Sequence, residues 1–372
     1  MDFIFNEQQE MLRNMARDFG EKECPAKLVK ELEADGDGFS KELWKKMSGL
    51  GWMELTIPEE YGGMSTEFMD IVVLFEEIGR ACIPGPFFVT AMLGGAAVCI
   101  AGDDDQKKAI LPEIANGNMV ITLAIDEPGT SNGLSSVSMK AELTDGYYTI
   151  NGTKLFVPYA AVAHKMILAA LTGKELSLFL VDIDTPGIEI TPMPTITGEK
   201  QYEVTFSDVR IPDTALLGKP GEAVGIMAQI MPRAKLAKCA EIVGMSQKAL
   251  EMTVDYAKQR VQFDKPIGTL QIIQSYCAKM FTDVETSKLI TYKAAWAIDS
   301  GLPCDKEVAI AKGWTSGAGR RVAAQAHQIH GATGFTADHD LGLYYKRLKG
   351  AELIFGDEEY HKEELAKEIG LV

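Results

Sequence analysis

Apolar positions follow helical spacing as far as residue 101, alternate with polar ones from about Val120, and return to helical spacing after Pro220-Gly221. In the first stretch, Glu7 to Glu31 predicts a helix with Met11, Met15, Ala16 and Phe19 on one face, and Phe39 to Leu50 a second. Pro58, Gly62 and Gly63 mark a loop. Helical spacing resumes over Glu67 to Ala81 through Met69, Val72, Val73, Phe75 and Ile78. Thr90 to Ala101 predicts a helix of small residues, where Gly94, Gly95, Ala96 and Ala97 suit either tight packing or the close approach of a ligand.

The middle stretch holds short β-rich runs at Ser136–Leu143, Tyr147–Ile150, Lys165–Thr172, Leu176–Ile183, Ile188–Met193 and Tyr202–Ile211, separated by turn residues. A small barrel or sandwich is expected. At its entry Ile121, Leu123 and Ile125 alternate as in a buried strand, and Asp126-Glu127-Pro128-Gly129 breaks the pattern. Thr130, Ser131 and Asn132 follow; they are either a plain strand exit or a set of donors for phosphate or a heterocycle edge. The last stretch predicts an antiparallel four-helix bundle from Ala223–Arg260, Leu270–Ser300, Asp305–His330 and Asp338–Phe355. The expected class is α+β, mostly α, with a helical domain over 1–119, a β-domain over 120–220 and a helical bundle over 221–372. The charged tail Asp357 to Glu364 reads as a solvated helix start.

A length of 372 residues accommodates such domains, and 46% hydrophobic with 24% charged residues fits an ordinary globular protein. A formal charge of −16 argues against nucleic acid or an anionic membrane as the main partner, while leaving room for an anionic small molecule held by local positive groups. The six cysteines (Cys24, Cys82, Cys99, Cys239, Cys277, Cys304) have no CxxC or metal-like spacing, so reduced thiols and no metal site are expected. The most apolar run, Ala91 to Ala101, is too short for a membrane span, and the N-terminus lacks a leader pattern; a cytoplasmic location is expected. GxGxxG, GxxxxGK[ST] and HExxH are all missing, which removes the usual support for several nucleotide-binding and zinc-protease classes.

Five motifs then occur in order. Glu127-Pro128-Gly129 follows the first β-run, and Asn151-Gly152-Thr153-Lys154 lies in the next hairpin. Arg260 and Phe263 form Arg-x-x-Phe with Gln271 beyond; Gln328, Gly331, Gly334 and Phe335 form Gln-x-x-Gly-x-x-Gly-Phe; Arg347 comes last. With these motifs on these elements, the chain resembles the acyl-CoA dehydrogenase family over nearly its full length. The resemblance implies FAD as cofactor, with Leu123, Ile125, Asp126 and Asn132 along the flavin and its pyrophosphate and Phe156 packed on the isoalloxazine ring. It implies that Arg260 reaches the pyrophosphate of FAD in a neighbouring subunit, with Gln271 and Gln328 on the adenosine side and Phe263, Gly331 and Ala332 in the same elements. A homotetramer or a dimer-based hetero-oligomer follows. Arg260 as a helix-end surface charge and Phe156 as a core residue remain the plain alternatives; His330 and His339, flanking the Gly-rich turn, read as structural or FAD-adjacent. The implied reaction removes two hydrogens from an acyl-CoA: a carboxylate takes a proton, flavin N5 takes a hydride, and an electron-transfer flavoprotein takes the electrons. Thr90 and Ala91 would line the acyl pocket.

The chain departs from the family at its catalytic centre. Registered on Arg347, the usual base position is Gly356, and the alternative position, ten residues before Gly244, is Ala234 between Arg233 and Lys235. Arg233, Lys235 and Gly356 are therefore expected beside substrate, and a one-residue slip would bring Asp357 to the first position. Pro158 stands where the family has a threonine bonding N5, and Asp126 where it commonly has a flavin-facing threonine. Three readings follow. One is a dehydrogenase with a relocated base, Asp126 or Asp357, acting on an alicyclic or otherwise bulky thioester such as cyclohexane- or cyclohexene-carboxyl-CoA. Another is the base-less subunit of a hetero-oligomer, and the third a flavin- and thioester-binding protein with a different reaction.

Overall fold

The computed structural model describes residues 5–64, 66–129 and 133–371. Its first helices are α1 (Glu7–Glu23), α2 (Ala26–Ala34), α3 (Lys41–Gly49) and α4 (Phe68–Ala81). The single helix expected over Glu7–Glu31 is broken at Pro25, which has no N–H to donate and disfavours helical backbone at the residue before it. The expected helix over Thr90–Ala101 starts as a π-helical segment, Val89–Gly95, and continues as α5 (Ala96–Ala101). Its small residues admit a strand: a Cβ on Gly94 would stand 2.6 Å from Ile121 Cγ2, so tight packing accounts for this glycine. A further helix, α6 (Asp104–Ala115), forms where periodicity assigns nothing; the capping box of Asp103 and Gln106 starts it.

Eight strands make one sheet: β1 (Ile121–Ala124), β2 (Lys140–Thr144), β3 (Tyr147–Pro158), β4 (Lys165–Thr172), β5 (Glu175–Asp182), β6 (Ile188–Met193), β7 (Gln201–Pro212) and β8 (Leu216–Leu217). The order is β6-β7-β3-β2-β4-β5-β8, with β1 parallel to β4, and the path does not close. Of the barrel and sandwich expected, the closed barrel is thus not formed. Tyr148, Val157, Leu168, Phe179, Val204 and Phe206 are among the residues of the sheet's core. Beyond it run α7 (Ala223–Gln259), a hairpin of β9 (Val261–Gln262) and β10 (Lys265–Pro266), α8 (Gln271–Asp299), α9 (Asp305–His330), α10 (Leu341–Leu353) and α11 (Glu358–Glu368).

Two compact units cut across chain order. One takes the residues up to 31, 67–83 and 232 onward; the other takes 32–66 and 84–231. Within the first, α4 and α7 cross backbone to backbone through a pair of glycines. A Cβ on Gly79 would meet the Glu241 carbonyl oxygen at 2.2 Å, and one on Gly244 the Glu76 carbonyl oxygen at 1.8 Å. Gly244 is therefore a packing requirement. Gly244→Ala is expected to destabilise the protein by about 3 kcal/mol or more, since a backbone oxygen cannot move aside as a side chain can; urea unfolding followed by far-UV circular dichroism measures it.

Candidate active site

The Glu-Pro-Gly and Asn-Gly-x-Lys motifs are two halves of one buried cross-link. Lys154, fully buried, donates from Nζ to Glu127 Oε1 at 2.7 Å and to the Ile125 carbonyl at 2.8 Å. Glu127 also accepts from the backbone N–H groups of Ser138 (2.9 Å) and Met139 (3.0 Å). Burial alone would raise the Glu127 carboxyl, but hydrogen bonds from Lys154, Ser138 and Met139 outweigh it and hold the group below the usual range. Burial draws Lys154 below the usual lysine value, with the Glu127 charge opposing the shift.

This cross-link shapes the end of β1. Leu155 N–H donates to the Asp126 carbonyl (2.8 Å), and the β3–β7 register shifts between Lys154 and Val157. At this bulge Phe156 has φ +54° and is 51% exposed, so it is not a core residue of this unit. Pro158 closes β3, and its carbonyl accepts the Thr122 hydroxyl. The Asp126 side chain is half-buried and accepts from Gly133 N–H at 2.9 Å. Leu123 is buried in β1. The structure thus gathers Leu123, Ile125, Asp126, Phe156 and Pro158 around the end of β1, while Asn132, with Thr130 and Ser131, lies outside the described residues. Thr90 and Ala91 are buried, and the Thr90 hydroxyl exchanges 3.3 Å hydrogen bonds with the Ile121 backbone.

The other unit presents a second group of candidates. Arg260 follows α7, Phe263 sits in the hairpin turn with φ +52° and 82% exposure, and Gln271 opens α8. Ile267 N–H donating to the Arg260 carbonyl (2.8 Å) closes this arm. Gln328 is exposed near the end of α9, and Gly331 (φ +57°) and Ala332 form the turn that follows. Under that turn His330 is buried, stacked on Tyr256 at 4.3 Å with His339 edge-on at 4.9 Å. Among the described residues the side chains of Arg260, Gln271 and Gln328 make no hydrogen bond. An outward guanidinium, two amides and an aromatic ring without partners of their own suit the pyrophosphate and adenosine of FAD.

At the expected base positions no carboxylate is free. Gly356 has φ +95°, and a Cβ there would stand 2.3 Å from Tyr360 Cδ1. Ala234 is buried; beside it Arg233 lies 6.0 Å from the Phe68 ring centroid, and Lys235 Nζ lies 5.9 Å from that of Tyr360. Asp357 caps α11, accepting the Tyr360 N–H at 3.0 Å; that bond holds its carboxyl below the usual range.

Periodicity gave no hint of what fixes this turn. Fully buried Lys312 reaches Ser316 Oγ (2.9 Å) and the carbonyls of Ala351 (3.2 Å), Glu352 (3.0 Å) and Gly356 (2.9 Å). Burial pulls its pKa down to about 8. His361, expected in a solvated tail, is buried and donates from Nε2 to the Phe355 carbonyl at 3.0 Å. The only sequence signal for Lys312 is a lysine on a face of α9 otherwise made of small residues. Among the described residues, no group of three or more His, Cys, Asp or Glu side chains could hold a metal, and no helix is long and apolar enough to cross a membrane.

Three family models match in succession: acyl-CoA dehydrogenase N-terminal domain over residues 6–118, middle domain over 122–209 and C-terminal domain over 225–370. The chain belongs to the acyl-CoA dehydrogenase family. It is an oxidoreductase of the class acting on CH–CH groups, and its cofactor is FAD. It is 31% identical to the probable acyl-CoA dehydrogenase YngJ of Bacillus subtilis (strain 168), over 99% of this chain and 100% of that one. It is 32% identical to an acryloyl-CoA reductase (NADH) of Anaerotignum propionicum, over 99% and 96%. The butyryl-CoA dehydrogenase structure from Megasphaera elsdenii matches with a TM-score of 0.92 at 27% identity, covering 99% of this chain and 100% of that one.

Two predictions follow from the buried groups. Lys154→Met strands the Glu127 carboxylate without its cation and is expected to cost roughly 3–5 kcal/mol in urea unfolding at pH 7. His361 titrates near 6.5 when unfolded, but burial, with Lys235 and Lys312 adding to it, lowers it to about 4 in the fold. Between those values the unfolded chain binds the extra proton, so stability falls as pH drops from 6.5 towards 4. His361→Gln should remove up to roughly 3 kcal/mol of that decline, read from urea midpoints across the range.

Proposed function

We propose that this chain is an FAD-binding subunit of an acyl-CoA dehydrogenase whose base carboxylate comes from a sister chain of the same fold. The observation that carries this reading is the Tyr360 ring over Gly356, which leaves no room for a side chain at the family's commoner base position. The remaining carboxylates support it: Asp357 caps α11, and Asp126 accepts a backbone N–H. In this reading Arg260 and Phe263 hold the pyrophosphate side of FAD in the neighbouring subunit, Gln271 and Gln328 its adenosine, and Phe156 packs on the isoalloxazine ring of this chain's own FAD. Bound FAD supplies the hydride acceptor for the carbon beside the deprotonated one. Pro158 offers no donor, so N5 is not bonded from that position by this chain. The acyl group we assign is alicyclic or similarly wide, the electron acceptor an electron-transfer flavoprotein. The Anaerotignum relative is named for the reductive direction, so both directions are to be assayed.

One observation favours a second reading, in which this chain acts alone with Asp126 as base. Asp126 stands at the end of β1 beside Phe156, and only one of its carboxylate oxygens is engaged by Gly133. Purified alone and with its co-purifying family chain, the protein is to be tested anaerobically for flavin bleaching by cyclic, branched and straight-chain acyl-CoAs. Bleaching is expected only with the sister chain present. Full bleaching by the homogeneous chain sinks the two-chain reading. In that case Asp126→Asn is expected to slow bleaching by about 10²-fold or more if Asp126 is the base.

A further inference from the structure

We propose that Tyr360 sets which acyl groups this enzyme accepts, its ring standing in the place of the family's base side chain and forming a flat wall for a ring-shaped acyl group. The inference rests on the family reading above, which defines that place by registering Gly356 on the base position. One family position lies against this ring, and the neighbour of the other reaches it. Gly356 lies beneath it, with an added Cβ falling 2.3, 2.8 and 3.0 Å from Cδ1, Cγ and Cε1. Lys235, the residue after Ala234, brings its Nζ within 5.9 Å of the same ring's centroid.

The ring is anchored by its backbone and neighbours and stays partly exposed. Its backbone N–H is fixed by Asp357 Oδ1 (3.0 Å), and the next residue, His361, packs edge-on at 5.0 Å. His361 and Lys312 bond the Phe355 and Gly356 carbonyls beneath it. Yet 46% of Tyr360 remains exposed, and its hydroxyl makes no hydrogen bond among the described residues. Burial and the Glu364 charge push the phenol pKa up, so the group stays a neutral donor and does not serve as a base. A flat, neutral, well-anchored aromatic face gains most from another ring laid against it and less from a flexible straight chain, which loses rotamer freedom on ordering. A carboxylate at that place would instead take a proton from the substrate.

The test uses the FAD-loaded assembly and measures dissociation constants for cyclohexanecarboxyl-CoA, benzoyl-CoA and butyryl-CoA by equilibrium dialysis. The wild type should favour the two cyclic thioesters. Tyr360→Ala should reduce the cyclic-to-butyryl preference about tenfold (~1.4 kcal/mol), and Tyr360→Leu, which keeps bulk without the flat face, should reduce it too. Tyr360→Phe should retain it. An unchanged preference in the Ala and Leu variants, with wild-type melting temperatures, overturns the role of Tyr360 and leaves the dehydrogenase reading standing. If the wild-type assembly binds none of the three thioesters, the functional reading itself fails, and this inference with it.

Discussion

The Lys154–Glu127 pair is the constraint on which the chain's exit from β1 depends. A buried ion pair gains little net stability over apolar packing, because desolvating both charges offsets most of their attraction. What it supplies here is direction. Lys154 of β3 also reaches the Ile125 carbonyl just after β1, and Glu127 takes the Ser138 and Met139 N–H groups just before β2, so three backbone points are fixed to one charge pair. An apolar pair of equal volume would fill the space without saying which way the chain leaves β1. With the pair in place, Asp126 and Leu155 meet, the β3 bulge is pinned, and Phe156 emerges on the exposed side.

The same device recurs in the other compact unit. Lys312, like Lys154, is a fully buried lysine whose acceptors include main-chain carbonyls in irregular backbone. The last carbonyls of a helix have no intrahelical donors, and a residue with positive φ cannot extend a right-handed helix. After α10, both Phe355 (φ +62°) and Gly356 (φ +95°) are of this kind. A long cationic side chain arriving from α9 satisfies several such groups at once. Its cost is visible in a pKa drawn down to about 8 by burial.

How much was legible in the sequence follows from the range of each interaction. The long helices α7 to α10 and the alternating runs of β3 to β7 depend on local spacing, and they stand close to where spacing puts them. The split at Pro25 was legible too, but was overridden by the apolar face running past it. The π-helical turn at Val89–Gly95, the β9–β10 hairpin and α6 depend on partners or caps that periodicity does not weigh. The site divides in the same way. Residue types at Arg260, Gln271, Gln328 and Phe156 could be matched to motifs, yet the reasons for Gly244, Lys154 and Lys312 lie in contacts with residues far off in the chain. Tyr360 and His361 were hidden inside a charge-rich tail, because composition describes the average of a helix and not the face it buries.

The expected base position looks different once the turn around Gly356 is known. A carboxylate that serves as a base needs a lone pair directed at substrate and a pKa high enough to hold the proton it takes. Asp357 sits one residue from the usual position but spends an oxygen on the Tyr360 N–H, which stabilises its ionised form and weakens it as a base. Restoring the base by sequence alone, at Gly356, would drive a side chain into an aromatic ring from a backbone conformation that few residues besides glycine adopt. Glycine, tyrosine and aspartate here form one consistent arrangement: the glycine makes room, the aspartate fixes the helix start, and the tyrosine fills the space. The glycine at this turn is therefore tied to the packing of its neighbours and not to its own position alone.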